Sequence, residues 1–399
     1  MNANVSRANA VLVLVAVLIF IVLATVPRLP YEWDAAGWWI PRAEIERGET
    51  GRLLHLMRTP GDWGLLLPDS GTHVFPIAYP TIVGGLAKLL PAGTSAMRAS
   101  AVWLAILVAV LLIHVGRRLP QDADVKSAIP LALVLLSPFA LVHMRSGYAD
   151  LPVGLLSAVL VLAMSAAFEQ STMMRLGWMT LVSTLLVQTK QDGMILCVAV
   201  ALTSALLATR RDQKFWRVVG LEAIVIVINL AGWAMLLQRL YGPDMPTRLR
   251  RIVGFDISAA PTFVYEIVRH ALDVDSWGIL WPALIALAIW RRDARWPAFI
   301  VIALGGYGLA HMLGPPYMLQ DLREGYVMNR LLLQIAVASI PFTLDANSLA
   351  AESQPVRMQT ARKLASRVAK LRSGGTLRSA ASPALVRCVL SFRLEAGRY

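Results

Sequence analysis

The charges that matter first are those at the edges of long apolar runs: Asp34, His143, Arg145, Asp150, Lys190, Asp192, Asp321, Arg323, Glu324 and Arg330. They fall in short polar phrases. One is Tyr31-Glu32-Trp33-Asp34. Another is His143-Met-Arg-Ser-Gly-Tyr-Ala-Asp-Leu-Pro152, and a third is Gln188-Thr-Lys-Gln-Asp-Gly193. Ionisable side chains are kept near a bilayer only where they are paired or used. A carboxylate of this set could accept a proton from an attacking hydroxyl. Arg and Lys could stabilise charge building on a phosphate leaving group. Each residue also has a plainer reading. Asp150 could cap the helix that begins with Leu-Pro. Lys190 and Asp192 could pair in a solvated turn, and Arg330 could snorkel at a helix end. Asp34 sits among Trp33, Trp38 and Trp39, as aromatic belts do. Arg42, Glu44, Glu46, Arg47 and Glu49 read as a solvated helix face. The six histidines are scattered without ligand spacing, and His73 is the one on the loop nearest these groups. No Walker loop, GxGxxG, HExxH or GxSxG is present. Two cysteines, Cys197 and Cys388, cannot build a disulfide framework.

The elements that would position these groups are apolar helices. Hydrophobic residues make up 57% of the chain and charged residues only 16%, against about 25% in soluble domains. The apolar residues cluster into runs at 8–26, 99–116, 127–143, 151–168, 175–189, 192–209, 218–238, 278–290, 297–313 and 331–344. In lipid the backbone must satisfy its own hydrogen bonds, so such runs are helices, and a crossing takes about 20 residues. The reading is an all-α integral membrane protein of about ten transmembrane helices. The first run is long for a signal-peptide core and is expected to be retained.

The net charge of +13 follows topology. With ten spans, Arg7, Arg117, Arg118, Lys126, Arg175, Arg210, Arg211, Lys214, Arg217, Arg291, Arg292, Arg295 and the basic tail share one side, which the positive-inside rule makes cytoplasmic. Both termini are then cytoplasmic, and the basic excess is not a nucleic-acid footprint. Residues 1–345 form the membrane domain. Within it, 27–98 is the first outer loop, and its apolar stretch 75–90 is a helix on the membrane surface, since a crossing there would invert every later loop. Residues 346–399 form a basic cytoplasmic tail. Val356, Leu364, Val368 and Leu371 fall at helical spacing there, fitting an amphipathic helix on anionic lipid, with a disordered basic tail as the alternative.

The ordered set of motifs has a counterpart. One helix is followed by Trp33-Asp34-Ala35 and Trp38-Trp39-Ile40-Pro41, and then by Phe75-Pro76-Ile77-Ala78-Tyr79-Pro80 before a surface helix. Gly116-Arg117-Arg118-Leu119, Ser137-Pro138-Phe139, Arg145-Ser-Gly-Tyr-Ala-Asp150-Leu-Pro, Gln188-Thr-Lys-Gln-Asp-Gly193 and Asn329-Arg330-Leu331-Leu332-Leu333 come next. Over roughly residues 8–345 this resembles the GT-C membrane glycosyltransferases. It is most similar to the branch with protein O-mannosyltransferases, the lipid A aminoarabinose transferase and rhizobial lipopolysaccharide galacturonosyltransferases.

The resemblance implies a GT-C-like bundle with a juxtamembrane-helix outer loop. It implies transfer of a sugar from a polyprenyl-phosphate donor to a glycan, lipid or protein acceptor at the outer membrane face, in a bacterial inner membrane. It assigns catalytic roles to Asp34, beside the acceptor, and to Asp150. It assigns substrate binding to Lys190, Arg145 and Arg330, with Tyr148 and His73 nearby. The family's adjacent acidic pair is replaced by Glu32-x-Asp34, so no ligand set for a divalent metal can be named. Many relatives also carry a large soluble C-terminal domain where this chain has its basic tail. The competing readings are a multi-spanning transporter or flippase, which would place charges mid-span, and an inert envelope scaffold.

Overall fold

The computed structural model describes residues 7–25, 39–48, 76–119, 123, 125–207, 212–241, 254–291, 294–314, 320–322 and 327–343. Among these there is helix and no strand. The helices are α1 (Arg7–Thr25), α2 (Ile40–Gly48), α3 (Ala78–Leu89), α4 (Ala96–Arg118), α5 (Ile129–Leu135), α6 (Pro138–Ser146), α7 (Asp150–Glu169), α8 (Met173–Thr189), α9 (Asp192–Leu207), α10 (Gln213–Tyr241), α11 (Ala259–Ala271), α12 (Leu280–Arg291), α13 (Arg295–Leu313) and α14 (Met328–Thr343). A short turn, Val274–Trp277, follows α11. All belong to the unit Met1–Asp345; the second unit, Ala346–Tyr399, lies outside the described residues.

Nine of the ten apolar runs fall, over most of their described length, within one helix each. By length and composition, five of the described helices (α1, α4, α7, α10 and α13) can cross a membrane, and a sixth crossing is available if the bent pair α5–α6 is one span. The run 127–143, expected as one helix, is broken: α5 and α6 meet at 55°. The cause is local. Pro138 has no N–H to continue the ladder, and Ser137 starts a new helix by accepting from the Ala140 N–H at 3.4 Å.

α7 is the central element. Its apolar window is 83% buried, whereas that of α10 is 17% buried, so α7 is enclosed by protein and α10 shows most of its surface outward. α7 packs lengthwise on α14, with α4, α8 and α9 also against it. Its two ends carry charge. Glu169 pairs with Arg118 at 2.6 Å and Arg175 at 3.6 Å, and Asp150 opens the other end of this 20-residue helix, which is about 30 Å long. Between the ends, Glu222 on α10 is fully buried. It accepts from Ser183 Oγ of α8 at 2.6 Å and Cys197 Sγ of α9 at 3.0 Å, tying three helices together.

Of the segment 27–98, expected as the first outer loop, the structure describes α2 and α3. α3 has 12 residues, well short of a crossing. It lies against α2 so closely that a Cβ at Gly84 would stand 2.5 Å from the Ala43 carbonyl oxygen. The charged face expected on α2 is solvated only in part: Arg47 is exposed and Glu44 half-buried, Arg42 is 0% and Glu46 4% exposed, and Glu49 lies outside the described residues. Glu44 accepts from the Ala96 N–H at 2.6 Å, pinning α2 to the start of α4. The contact with α3 is what covers residues that helical spacing alone assigned to water.

The α7–α14 contact also depends on a glycine. A Cβ on Gly154 would lie 2.8 Å from Val337 Cβ and 3.2 Å from the Gln334 carbonyl oxygen. Gly154→Ala is expected to force the helices apart and to destabilise the protein by about 1–3 kcal/mol, read as a lowered midpoint of thermal unfolding in detergent. Gly177→Ala on exposed α8, where a Cβ meets nothing within 4 Å, should hold or raise that midpoint.

Candidate functional site

Asp150 occupies the first turn of α7, but it is no cap. The N-cap is Ala149, which makes no side-chain cap bond. The Asp150 carboxylate is fully buried, and both its oxygens are engaged. Oδ1 accepts from Lys190 Nζ at 2.6 Å and from the Gln334 side-chain amide. Oδ2 accepts from Arg330 Nε at 3.0 Å. Lys190 also pairs with Asp192 Oδ2 at 2.7 Å, and Gln334 reaches the same oxygen at 3.2 Å. Tyr307 of α13 donates to Gln334 Oε1 at 2.6 Å, which turns the amide nitrogen toward the carboxylates.

The local sequence explains these positions. Lys190 breaks α8 with extended backbone (φ −156°, ψ 153°), and α9 starts at Asp192. A Cβ on Gly193 would lie 2.1 Å from the Leu186 carbonyl oxygen, so the Gln-Asp-Gly phrase needs its glycine for the two helices to meet this tightly. Arg330 and Gln334 are four residues apart on α14 and share a face. Gly147 ends α6 in the left-handed region (φ 72°), where a Cβ would also lie 2.9 Å from Met97 Sδ. Its carbonyl accepts from Tyr79 OH of α3 at 2.7 Å. The turn so fixed places Tyr148 under Arg330, with the guanidinium carbon 4.4 Å from the ring centroid.

Aromatic groups continue from there. His143 of α6 lies 5.3 Å from Tyr148 and 4.4 Å from Phe139 between ring centroids, and Phe139 lies 5.1 Å from Trp277. Trp277 donates to Asn329 Oδ1 at 3.1 Å, next to Arg330 in the chain. Beyond it, α11 turns Glu266 and His270 inward, 3.4 Å apart.

The four ionised groups, two carboxylates and two cations, sum to zero. Isolating any of them in such a place would cost several kcal/mol. Burial and Arg330 act against the charged form of Lys190, but Asp150 and Asp192 outweigh them and hold its pKa above the usual lysine value. A raised value stabilises the fold fully below the ordinary lysine range of about 10.4 and loses that contribution only as pH rises through the folded value. The lysine is therefore charged throughout the neutral range.

The structure thus brings together Asp150, Lys190, Arg330 and Tyr148. Arg145 sits half-buried in the last turn of α6, and the bonds to Asp150 described above do not include it. Asp34 and His73 lie outside the described residues. The solvated-turn reading of Lys190 and Asp192 fails, because Lys190 is buried and bonds Asp150 as well. Sequence reasoning did not place Gln334 or Tyr307 here; the signal for Gln334 was one amide in Leu331-Leu-Leu-Gln-Ile-Ala336, one turn beyond Arg330. Among the described residues no three of His, Cys, Asp and Glu converge as a metal site. Comparison with protein-family models finds no match, and neither a curated protein nor a solved structure matches the chain.

Removing one member of a buried ionic group strands the others. Asp150→Ala is expected to cost about 3–5 kcal/mol of stability. Lys190→Met in the same background should recover part of it, so the pair will be non-additive in a double-mutant cycle of unfolding free energies.

Proposed function

We propose that this protein is a multi-pass membrane glycosyltransferase of GT-C-like architecture, with about ten transmembrane helices. In this reading it moves a sugar from a polyprenyl-phosphate donor to an envelope glycan, lipid or protein acceptor at the outer face of a bacterial inner membrane. Both termini are cytoplasmic. The observation that carries the reading is the convergence on one buried carboxylate of Lys190 and Arg330, which lie 40 and 180 residues from Asp150 in the chain. The three residues belong to three of the phrases on which the family resemblance rests.

In this mechanism the acceptor hydroxyl attacks the anomeric carbon. Its proton passes to the Asp34 carboxylate, and the carbon–oxygen bond to the phosphate breaks, with the electron pair leaving on the phosphate oxygen. Lys190 and Arg330 stabilise that charge. Both oxygens of Asp150 already accept bonds, so its part is to hold the two cations in register rather than to take a proton. Tyr148 supports the Arg330 guanidinium from below, and Arg145 and His73 complete the donor site. The basic tail lies on anionic lipid.

A second reading, a carrier of a lipid-linked or polar solute, draws on the charge balance of the cluster. Opposed charges that satisfy one another in the absence of a solute can exchange partners when one enters.

The test is transfer of label from a panel of radiolabelled polyprenyl-phosphate sugars to an envelope acceptor fraction by purified protein in lipid. Wild type is expected to transfer. Arg330→Lys, which keeps the charge but loses the planar fork, should fall about 10²-fold, and Asp34→Asn should fall at least as far. Normal transfer by Asp34→Asn would remove the assigned base. Solute counterflow without transfer would establish the carrier instead.

A further inference from the structure

We propose that His143 is a ligand-contacting residue of this site and hydrogen-bonds the phosphate-bearing head of the bound lipid; this rests on the function proposed above. His143 is 2% exposed, and neither Nδ1 nor Nε2 has a hydrogen-bond partner among the described residues. A buried imidazole with both nitrogens idle forfeits hydrogen bonds it had in water, and groups in that condition need a reason. Packing alone does not supply one. An apolar side chain of similar volume would fill the space between Phe139 and Tyr148 without stranding two polar atoms.

The surroundings point to an absent polar partner. Tyr148 touches both the imidazole, tilted against it at 5.3 Å between ring centroids, and the Arg330 guanidinium carbon at 4.4 Å, and Arg330 in turn bonds Asp150. The residues around Asp150 are satisfied by one another: its two oxygens by Lys190, Gln334 and Arg330, and Lys190 by Asp192 as well. Among the described residues, the His143 imidazole is a buried polar group beside this cluster with both nitrogens unengaged. It carries one donor and one acceptor when neutral and two donors when protonated. A phosphate head entering beside Arg330 and Lys190 supplies oxygens for the donor. If the ring serves the bound state, the unliganded protein carries its cost, and stability is traded for function.

Two substitutions separate this from a structural role. His143→Leu removes both polar atoms at nearly constant volume. His143→Gln keeps one donor and one acceptor. Wild type and both variants, in nanodiscs, would be titrated with decaprenyl phosphate and with decaprenol, following tryptophan fluorescence, and their thermal midpoints measured without ligand. The expected result is that His143→Leu keeps or raises its midpoint by a few degrees while its affinity for decaprenyl phosphate falls about tenfold or more. His143→Gln should stay within about threefold of wild type, and decaprenol should not discriminate among the three. A markedly lowered midpoint for His143→Leu would show that the ring has a partner within the fold, which overturns the proposal. Unchanged affinity for decaprenyl phosphate in His143→Leu would overturn it too while leaving the donor site standing. So would an equal loss in the Leu and Gln variants. Wild-type protein that binds decaprenyl phosphate no better than decaprenol would overturn the donor site itself, and this proposal with it.

Discussion

A carboxylate with no access to water must be answered by charge, and the architecture follows from how Asp150 is answered. Its two oxygens are met by an ammonium, a guanidinium and an amide from two other parts of the chain. Those donors come from the break between α8 and α9 and from one face of α14, so three helical segments are fixed relative to α7 by one functional group. The hydrophobic packing around α7 is extensive, but it is non-directional and would tolerate sliding or rotation of α14. The bonds to Asp150 would not, because each has a preferred distance and angle. Apolar contact gives the bundle its cohesion, and the ionic group gives it a register.

That register is available only because the backbones come close enough. Lysine reaches far, but the glutamine amide does not. Gly154 allows the close approach that brings Gln334 to Asp150, and Gly193 lets α9 begin tight against the last turns of α8 so that Lys190 and Asp192 face the same carboxylate. Gly147 turns the chain between α6 and α7 so that Tyr148 lies beneath Arg330. Each is a residue without a side chain serving residues whose side chains carry charge. Gly147 and Gly193 sit inside the sequence phrases Arg-Ser-Gly-Tyr and Lys-Gln-Asp-Gly.

Much of the fold was legible because lipid simplifies the code. A run of about 20 uncharged residues has one stable backbone state, so the positions of the helices could be read directly. The grouping of Asp150, Lys190 and Arg330 was legible because charges at the edges of such runs are rare enough to count. What could not be read was set by contacts between segments far apart. Arg42 and Glu46 have the spacing of a wet surface, and only the approach of α3 makes their side of α2 an interior. The run 127–143 has the composition of a single span, and only the competition between Pro138 and the preceding turn decides that it bends. Gln334 carries no net charge, so the same counting passed over it. Nothing in the run 218–238 shows what meets Glu222; Ser183 and Cys197, from two other helices, are what make a buried place for it.

The distance in sequence across the Asp150 group bears on the order in which the protein is made. Arg330 and Gln334 lie 180 and 184 residues beyond Asp150, and the chain leaves the ribosome from its N-terminus. From Lys190 to Arg330, about a third of its synthesis, the nascent bundle therefore holds a carboxylate with only Lys190 to answer it. α14 is the last described helix to arrive and slides in along α7, so its docking is where the charge of the interior is finally balanced. A chain stopped before α14 would keep nearly all of its apolar helices and still present quality-control proteases with an unanswered charge at its centre. The arrival of α14 is thus recorded in the interior as the neutralisation of one aspartate.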